Sequence, residues 1–266
     1  MRFVEQITKW IRHRSPLQKY ESLWAMFRAP YRKALALFYP QGLQRIINGT
    51  DKLYVDYCWT SMPETYEPDV WGEVMSRLNQ AKLFVDVGGH IGLYAICGAQ
   101  RMPANGKVVV FEPLPNNREF LKKNIRLNKM GEKIEVREFA VGDRSGTAFM
   151  NEKESQASIQ ESGGACVRIS TLDEQFPSET LDVLKIDVEG AEEKVLLGAG
   201  RLLADPQRKP KSIFIEVHPY AWGAFGTRSE EFIKILKNAG YRIRRLDKLP
   251  LQTIDFYGEI LAEVKK

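Results

Sequence analysis

From residue 82 onward, short runs of β-branched and aromatic residues alternate with segments whose apolar residues recur at helical spacing. Strand-like runs that alternate with helices are typical of an α/β protein with a mostly parallel, doubly wound sheet. Ligands of such sheets bind at the carboxyl ends of the strands, so functional residues are expected there. The strand-like runs lie at 83–87, 107–111, 133–141, 182–188, 212–217, 241–245 and 257–264, and the helical patterns at 91–100, 117–127 and 191–203.

The N-terminal part of the chain differs from the rest, and we predict a basic helical extension at 1–75 and a main domain at 76–266. Within 1–45, apolar residues recur at spacings of three and four, which indicates amphipathic helices. Residues 1–45 carry nine Lys or Arg against two Glu, a net charge of +7, whereas the whole chain carries +5 and residues 46–266 carry −2. A basic amphipathic helix suits an anionic membrane surface. The other alternative is that these helices pack on the main domain or form a dimer contact.

The composition is that of a globular protein, with 44% hydrophobic and 27% charged residues. No apolar run reaches the roughly 18 residues that span a bilayer, and the N-terminus lacks the apolar core of a signal peptide. The three cysteines are scattered and form no C-x-x-C pair, which fits a reducing compartment. We therefore expect a cytoplasmic protein, with peripheral contact at the inner membrane face as the variant that the basic extension allows. Residues 46–266, with their net charge of −2, lack a broad basic stripe, which disfavours a nucleic-acid partner.

The first strand-like run ends in a glycine-rich turn, V-D-V-G-G-H-I-G. Glycines serve where the backbone turns tightly and approaches a ligand. The G-x-G-x-x-G pattern of nicotinamide and flavin sites fails here, because His90 takes the place of its second glycine. S-adenosylmethionine has no phosphate, but it carries an α-amino group and a sulfonium centre. Asp86 is suited to that amino group, Gly88 and Gly89 let the amino-acid part lie against the backbone, and His90 and Gly92 complete the predicted cofactor turn.

Two more acidic residues follow strand-like runs and extend this predicted cofactor site. Glu112 comes directly after the second run, where a carboxylate can accept hydrogen bonds from ribose hydroxyls. Asp143 comes just past the third run and is a candidate partner of the adenine amino group. Together with the turn, these positions predict S-adenosylmethionine as the cofactor.

These residues resemble the FkbM family of methyltransferases. The resemblance implies a Rossmann-like class I methyltransferase fold with an antiparallel last strand, S-adenosylmethionine as methyl donor, and O-methylation of a sugar or other natural-product hydroxyl. Gly89 and His90 stand where the family usually has Ala and Asn. The resemblance therefore does not say which group makes the contact that this Asn makes in the family. The resemblance covers roughly residues 80–220 and rests on VDVGGHIGLY (85–94), FEPLPNNREFLKKNIRLN (111–128), LKIDVEGAE (184–192) and IFIEVH (213–218).

The fourth and fifth runs end in side chains suited to methyl transfer. Asp187 and Glu189 lie at the carboxyl end of the fourth run, and Glu216 and His218 lie at the carboxyl end of the fifth. Residues two apart on a strand share a face, so adjacent strands would bring these groups to one rim. A hydroxyl acceptor must lose its proton, and a placed base contributes about 10²–10⁴-fold in rate. We predict His218, Asp187 and Glu189 as catalytic residues, with His218 as the general base.

The same residues allow a second mechanism. Asp187, Glu216 and His218 supply carboxylate and imidazole ligands, which suit divalent cations such as Mg²⁺ or Mn²⁺. A bound cation would lower the pKa of the acceptor hydroxyl and so replace the base. The metal-free mechanism is the main prediction, and the divalent cation is the alternative.

The sequence as a whole predicts an S-adenosylmethionine-dependent O-methyltransferase. Its expected partner is a small-molecule or glycan acceptor with a free hydroxyl. A methyltransferase with a nitrogen or carboxylate acceptor is the first alternative, and a non-catalytic module that keeps the fold for binding is the second. A nucleotide-binding oxidoreductase is disfavoured by the failed glycine pattern.

Overall fold

The computed structural model describes residues 37–59, 62–150, 159–160, 164–247 and 249–264. The chain divides into two compact units after Thr65, and each unit is described by itself. The helices predicted within residues 1–36 lie outside the described residues, as does most of the basic segment.

The described part of the first unit contains a hairpin where the helical extension was predicted. In its turn, Asn48 and Gly49 have positive φ angles of 50° and 73°, and the Thr50 N–H donates to the Ile47 carbonyl at 3.0 Å. Asn-Gly is the strongest short-range hairpin signal, because both residues tolerate these angles. The extension predicted at 1–75 thus contains a hairpin, and residues 43–45 lie in a strand and not in the helices predicted within 1–45. The elements are β1 (Leu43–Ile47), β2 (Asp51–Val55) and a 3₁₀ helix (Tyr57–Trp59).

The second unit alternates strands and helices. Its strands are β3 (Leu83–Val87), β4 (Lys107–Phe111), β5 (Ile134–Arg137), β6 (Phe139–Val141), β7 (Gly146–Met150), β8 (Ile159–Gln160), β9 (Ala165–Ser170), β10 (Val183–Ile186), β11 (Ser212–Val217), β12 (Tyr241–Arg245) and β13 (Gly258–Val264). Its helices are α1 (Pro68–Leu78), α2 (Leu93–Arg101), α3 (Pro115–Leu127), α4 (Leu172–Gln175), α5 (Glu192–Leu197), α6 (Gly200–Ala204), α7 (Pro219–Phe225) and α8 (Ser229–Asn238).

The main sheet has the strand order β12-β13-β11-β10-β3-β4-β5. The strands from β11 to β5 pair in parallel, whereas β13, the last strand, is antiparallel to both β11 and β12. The predicted doubly wound sheet with an antiparallel last strand is thus confirmed. The strand order reverses between β3 and β10, and this switch point is where doubly wound sheets bind their ligands.

A small second sheet has the order β6-β9-β7-β8. The sequence predicted one strand at 133–141, but the chain changes sheets within this run. β5 pairs with β4 only as far as Arg137, and Phe139 already pairs with Arg168 of β9. Both halves of the run have strand character, so the sequence pattern does not reveal the break between them.

The central strands are buried from end to end, because helices cover both faces of a mostly parallel sheet. All residues of β10 and β11 are buried, and Lys185 is the charged residue within β10. Helices α1 and α2 pack closely at Gly98, where a Cβ atom would lie 2.7 Å from Leu78 Cδ1. None of the helices in the described part of the chain has the length and hydropathy that a membrane span requires.

Candidate active site

A cavity of about 420 Å³ lies at the carboxyl ends of β3, β4, β10 and β11. This volume is typical of small-molecule sites. Residues at the carboxyl ends of all four strands contribute to its wall, so the switch point of the sheet and the cavity coincide. The lining includes the predicted residues Asp86, Gly88, Gly89, His90, Glu112, Asp187, Glu189 and Glu216.

The glycine turn after β3 is packed tightly between its neighbours. The N–H groups of Gly88 and Gly89 both donate to the Phe111 carbonyl, at 3.0 and 3.1 Å. Gly88 has a φ of +89°, and a Cβ atom on it would lie 1.8 Å from the Asp187 carbonyl oxygen. The sequence suggested that these glycines admit a ligand. The structure adds a packing reason, because the turn lies directly against the end of β10.

His90 and Gly92 take different places in this turn. His90 lines the cavity, and its backbone N–H donates to Glu112 Oε2 at 2.9 Å. Burial lowers the pKa of its imidazole. Gly92 precedes α2 with a φ of +89° and is not among the lining residues. A Cβ atom on Gly92 would lie 2.5 Å from Leu121 Cδ1, so this glycine serves packing.

Glu112 is 4% exposed and is held by backbone groups on both carboxylate oxygens. Besides the His90 N–H on Oε2, the Leu114 N–H donates to Oε1 at 2.9 Å. Burial nevertheless raises the pKa of Glu112 to about 7. Its carboxyl group is therefore fixed in orientation and can accept further hydrogen bonds from a ligand.

Asp86 and Asp143 occupy different surroundings. Asp86 is 2% exposed, and burial raises its pKa to about 6, against the opposing charge of Lys185. Asp143 lies away from the cavity lining, and its Oδ2 is 3.1 Å from Lys194 Nζ. The geometry brings Asp86 together with Glu112 but leaves Asp143 in a separate ion pair.

Three acids that follow β10 or end β11 form a second part of the cavity wall, which we call the acidic wall: Asp187, Glu189 and Glu216. Burial disfavours the charge of Asp187, but Lys185 Nζ lies 3.1 Å from its Oδ2 and the pKa of Asp187 falls below its usual value. Burial and the Asp187 charge raise the pKa of Glu216 to about 7. Burial also raises the pKa of Glu189.

His218 lies directly behind the acidic wall and is 1% exposed. Its Nε2 atom is 3.4 Å from Glu189 Oε2, 3.8 Å from Glu216 Oε1 and 4.0 Å from Asp187 Oδ1. Burial opposes protonation of the ring, but its bond to Glu192 and the nearby carboxylates raise the pKa of His218. The structure thus brings all predicted catalytic residues together, with His218 behind the residues that face the cavity.

The ligand atoms of Asp187, Glu216 and His218 lie within 4.8 Å of one another. This spacing fits a divalent cation in geometry and in donor type. Lys185 already supplies a positive charge at the same cluster, since its ammonium group contacts Asp187. The residues can therefore hold a cation, but they do not need one to balance the charge of Asp187.

Strained backbone also marks the cavity. Glu67, His90 and Glu189 line it and have positive φ angles of 39°, 48° and 53°. Non-glycine residues seldom adopt this conformation, and such residues concentrate at functional sites. Glu67 accepts a hydrogen bond from the Tyr94 hydroxyl at 2.6 Å, which ties α2 to this part of the wall.

Sequence reasoning missed several residues of the site. Lys185 could have been found from the sequence, because a lysine inside an apolar strand is buried and such a residue needs a partner. Glu192 looked like one more acid in the first turn of a helix, where acids are common because of the helix dipole. The aromatic segment that follows His218 is helix α7, and its Tyr220 hydroxyl donates to Glu189 at 2.9 Å. Tyr257, from the segment before β13, donates to Glu216.

This strand order, with a ligand cavity at the switch point, defines the Rossmann-like fold of the class I methyltransferases. The family model of the Methyltransferase FkbM domain matches residues 86–243, which is more than half of the chain. The chain belongs to the FkbM methyltransferase family.

Individual relatives are distant in sequence. AMB antimetabolite synthetase AmbE of Pseudomonas aeruginosa is 26% identical over 236 residues, a match that covers 70% of this chain and 11% of AmbE. Methyltransferase sdnD of Sordaria araneosa is 25% identical, over 47% of this chain and 62% of that protein. The crystal structure of Methyltransferase FkbM from Methylobacillus flagellatus has 18% identity and a TM-score of 0.46, and the match covers 70% of this chain and 44% of that one. The chain thus spans less than two thirds of each of these proteins.

Proposed function

We propose that the protein is an S-adenosylmethionine-dependent O-methyltransferase whose acceptor is a hydroxyl of a small molecule or glycan. One observation carries this proposal: a single cavity is lined both by Asp86 and Glu112 and by the acidic wall. The first pair suits the cofactor, and the acidic wall suits the acceptor. When bound, the cofactor supplies a methyl group on a sulfonium sulfur, which departs with the electron pair of the broken bond.

The cofactor half of the site depends on buried carboxylates of fixed orientation. Asp86 is suited to the α-amino group, because its carboxylate is buried and lies at the end of β3. Glu112 is suited to the ribose hydroxyls, since the N–H groups of His90 and Leu114 hold its carboxylate in place. Groups fixed before binding lose little freedom when the ligand arrives.

The acceptor half depends on the acidic wall and the imidazole behind it. The acceptor hydroxyl binds Glu189 and gives its proton to that carboxylate as the oxygen bonds to the methyl carbon. The proton then passes to His218 Nε2, which lies 3.4 Å from Glu189 Oε2. Asp187 stays ionised because Lys185 contacts it, and its charge stabilises the imidazolium that forms.

Two exposed tyrosines supply the surface for the acceptor. Tyr220 and Tyr257 are 61% and 63% exposed, and their ring centroids lie 6.3 Å apart. Their hydroxyls are bound to Glu189 and Glu216. Aromatic faces with an anchored polar edge are suited to stacking on a sugar ring or another cyclic acceptor.

Calorimetric titration with S-adenosylhomocysteine tests the cofactor half. We expect about one site per chain, and Asp86→Ala or Glu112→Ala should weaken binding at least tenfold, since each removes a charge-assisted hydrogen bond. Glu119→Ala is the matched control, because Glu119 is an exposed acid of α3 and should bind like the parent chain. Binding of NADH in place of S-adenosylhomocysteine would contradict the proposal.

Labelled methyl transfer to a panel of acceptors tests the acceptor half. The panel holds sugars, lipid-linked glycans and polyketide alcohols, each beside its amine and carboxylate analogue. The proposal expects transfer to hydroxyl acceptors. Transfer confined to the amine or carboxylate analogues would support the alternative acceptor class and contradict O-methylation.

A further inference from the structure

Glu192 is a fully buried carboxylate that the proposed reaction does not use directly. Its Oε1 atom lies 2.7 Å from His218 Nδ1 and accepts a hydrogen bond from the Gly190 N–H at 2.8 Å. Its Oε2 atom accepts from Trp222 Nε1 at 2.8 Å. Burial of a carboxylate is costly unless donors satisfy it, and here the N–H groups of Gly190 and Trp222 both donate to it.

The bond between Glu192 and His218 determines where the imidazole carries its proton. An ionised carboxylate can only accept hydrogen bonds, so His218 Nδ1 must be the donor. In the neutral ring the free lone pair then lies on Nε2. That atom faces Glu189, Glu216 and Asp187, which is the direction from which a proton arrives in the proposed reaction.

The carboxylate of Glu192 is itself held from two sides. Trp222 is 4% exposed and stacks on Phe232, with ring centroids 5.2 Å apart. Gly190 has a φ of +107°, and a Cβ atom on it would lie 2.6 Å from Ala221 Cβ. The turn after β10 and helix α7 therefore pack against each other beside Glu192, and each donates a hydrogen bond to its carboxylate.

We propose that Glu192 is a positioning residue that holds His218 with its proton on Nδ1 and its Nε2 lone pair toward the acidic wall. This inference rests on the proposed function, in which His218 receives the acceptor proton. The wrong tautomer should cost about 10²–10⁴-fold in rate, because no lone pair of His218 would then face Glu189, which hands on the acceptor proton.

The tautomer of His218 can be observed directly, without any assay of activity. The chain has three histidines, so imidazole ¹⁵N spectra of the full chain are simple, and His218→Ala identifies the signals of interest. At a pH where the ring is neutral, we expect the proton on Nδ1. In Glu192→Gln the side-chain amide can present its NH₂ group to Nδ1, so we expect the tautomer with the proton on Nε2 to appear.

Kinetics provide the second measurement. Glu192→Gln should lower kcat by about 10²-fold or more while KM and the Kd for S-adenosylhomocysteine stay within about twofold, because only the base is misplaced. Glu192→Asp keeps the carboxylate and should retain the Nδ1 proton. Glu193→Gln is the matched control, since Glu193 is the next residue of the same helix and is 8% exposed. It should leave both tautomer and kcat unchanged.

The two proposals fail in different ways. Full activity of His218→Ala would overturn the role of His218 in the proposed function. Loss of activity in His218→Ala, with kcat and tautomer unchanged in Glu192→Gln, would overturn the role of Glu192 alone. If Glu192→Gln does not fold, the parent chain still decides, because a neutral His218 with its proton on Nε2 contradicts the inference.

Discussion

The ammonium nitrogen of Lys185 lies 3.1 Å from Asp187 Oδ2, while Lys185 pairs in register with Asp86 on the neighbouring strand. Burial disfavours the charge of Lys185, but the surrounding carboxylates raise its pKa above the usual value. Its ammonium group also lies 4.7 Å from the centroid of the Tyr94 ring. Lys185 is therefore the positive charge at the place where the two halves of the proposed site meet.

Replacing this cation should destabilise the fold. We expect Lys185→Met to lower the free energy of unfolding by about 2–3 kcal/mol, somewhat less than for a fully buried pair, because the Asp187 side chain is 24% exposed. Lys211→Met is the control, since that lysine pairs with Asp182 but is 75% exposed, and such pairs contribute about 0–1 kcal/mol. Urea unfolding measures both, and equal losses in the two variants would contradict the assigned role of Lys185.

Cofactor affinity should rise with pH. The carboxyl groups of Glu112 and Asp86 have pKa values raised to about 7 and about 6 by burial, and their ionised forms bind hydroxyl and ammonium donors more strongly. We expect the affinity for S-adenosylhomocysteine to increase about five- to tenfold between about pH 6 and 7.5. Glu112→Gln should remove most of this dependence, and a pH-independent affinity in the parent chain would contradict the prediction.

The ligand-free protein should show the opposite pH trend, which serves as the control. A carboxyl group whose pKa is raised in the folded state binds its proton more tightly there than in the unfolded chain. The stability that Glu112 contributes is therefore fully present below its ordinary pKa of 4.5 and is lost as the pH rises through about 7. Without ligand, the thermal unfolding midpoint should therefore fall as the pH rises from 4.5 through about 7. The fall should be smaller in Glu112→Gln.

Removal of the imidazole should affect chemistry and leave cofactor binding intact. We expect His218→Ala to lower turnover by about 10²-fold or more, because Glu189 would then have no group to which it can pass the acceptor proton. Its Kd for S-adenosylhomocysteine should stay nearly unchanged, because His218 lies behind the acidic wall and not beside Asp86 or Glu112. If the acceptor is instead an amine of sufficient basicity, His218→Ala should lower turnover less. Steady-state kinetics with a hydroxyl acceptor provide the measurement, and calorimetry provides the control.

Chelation distinguishes the metal-free mechanism from the alternative. We expect activity to survive dialysis against EDTA, because Lys185 already compensates the charge of Asp187. Activity that is lost with EDTA and restored by Mg²⁺ or Mn²⁺ would instead favour a cation on Asp187, Glu216 and His218. In that case Glu216→Gln should lower the affinity for the cation, so that more Mg²⁺ or Mn²⁺ is needed to restore activity. A metal that binds elsewhere would not respond to this substitution.

The excess of Lys and Arg in residues 1–45 predicts a salt-dependent interaction with anionic membranes. Each Lys or Arg near such a surface contributes about 1 kcal/mol, so the full chain should sediment with anionic vesicles more than with neutral ones. A variant that lacks residues 1–41 should lose this difference, and it keeps the hairpin that starts at Leu43. Equal and negligible sedimentation of both the full chain and the shortened variant, with anionic and with neutral vesicles, would contradict the membrane prediction.

Much of the fold followed from local patterns in the sequence. The strands β3, β4, β10 and β11 were predictable because a strand buried on both faces must be an almost continuous apolar run. The placement of Asp86 and Glu112 on one edge was predictable as well. Asp86 lies near the end of such a run and Glu112 follows another, and in a parallel sheet these ends meet on one edge. The hairpin at 43–55 could have been predicted from Asn48-Gly49 alone, since this signal is also local.

The contacts that organise the proposed site depend on tertiary structure. Asp86 and Lys185 are neighbours only because β10 inserts beside β3 at the switch point. Glu192 bonds His218 only because β11 is the next strand along, so that the segments following β10 and β11 pack together. Hydrophobic periodicity fixes which residues are buried, but it carries no information about which strand lies beside which. That choice is made by the packing of the whole sheet, and it decided the partners of Lys185 and His218.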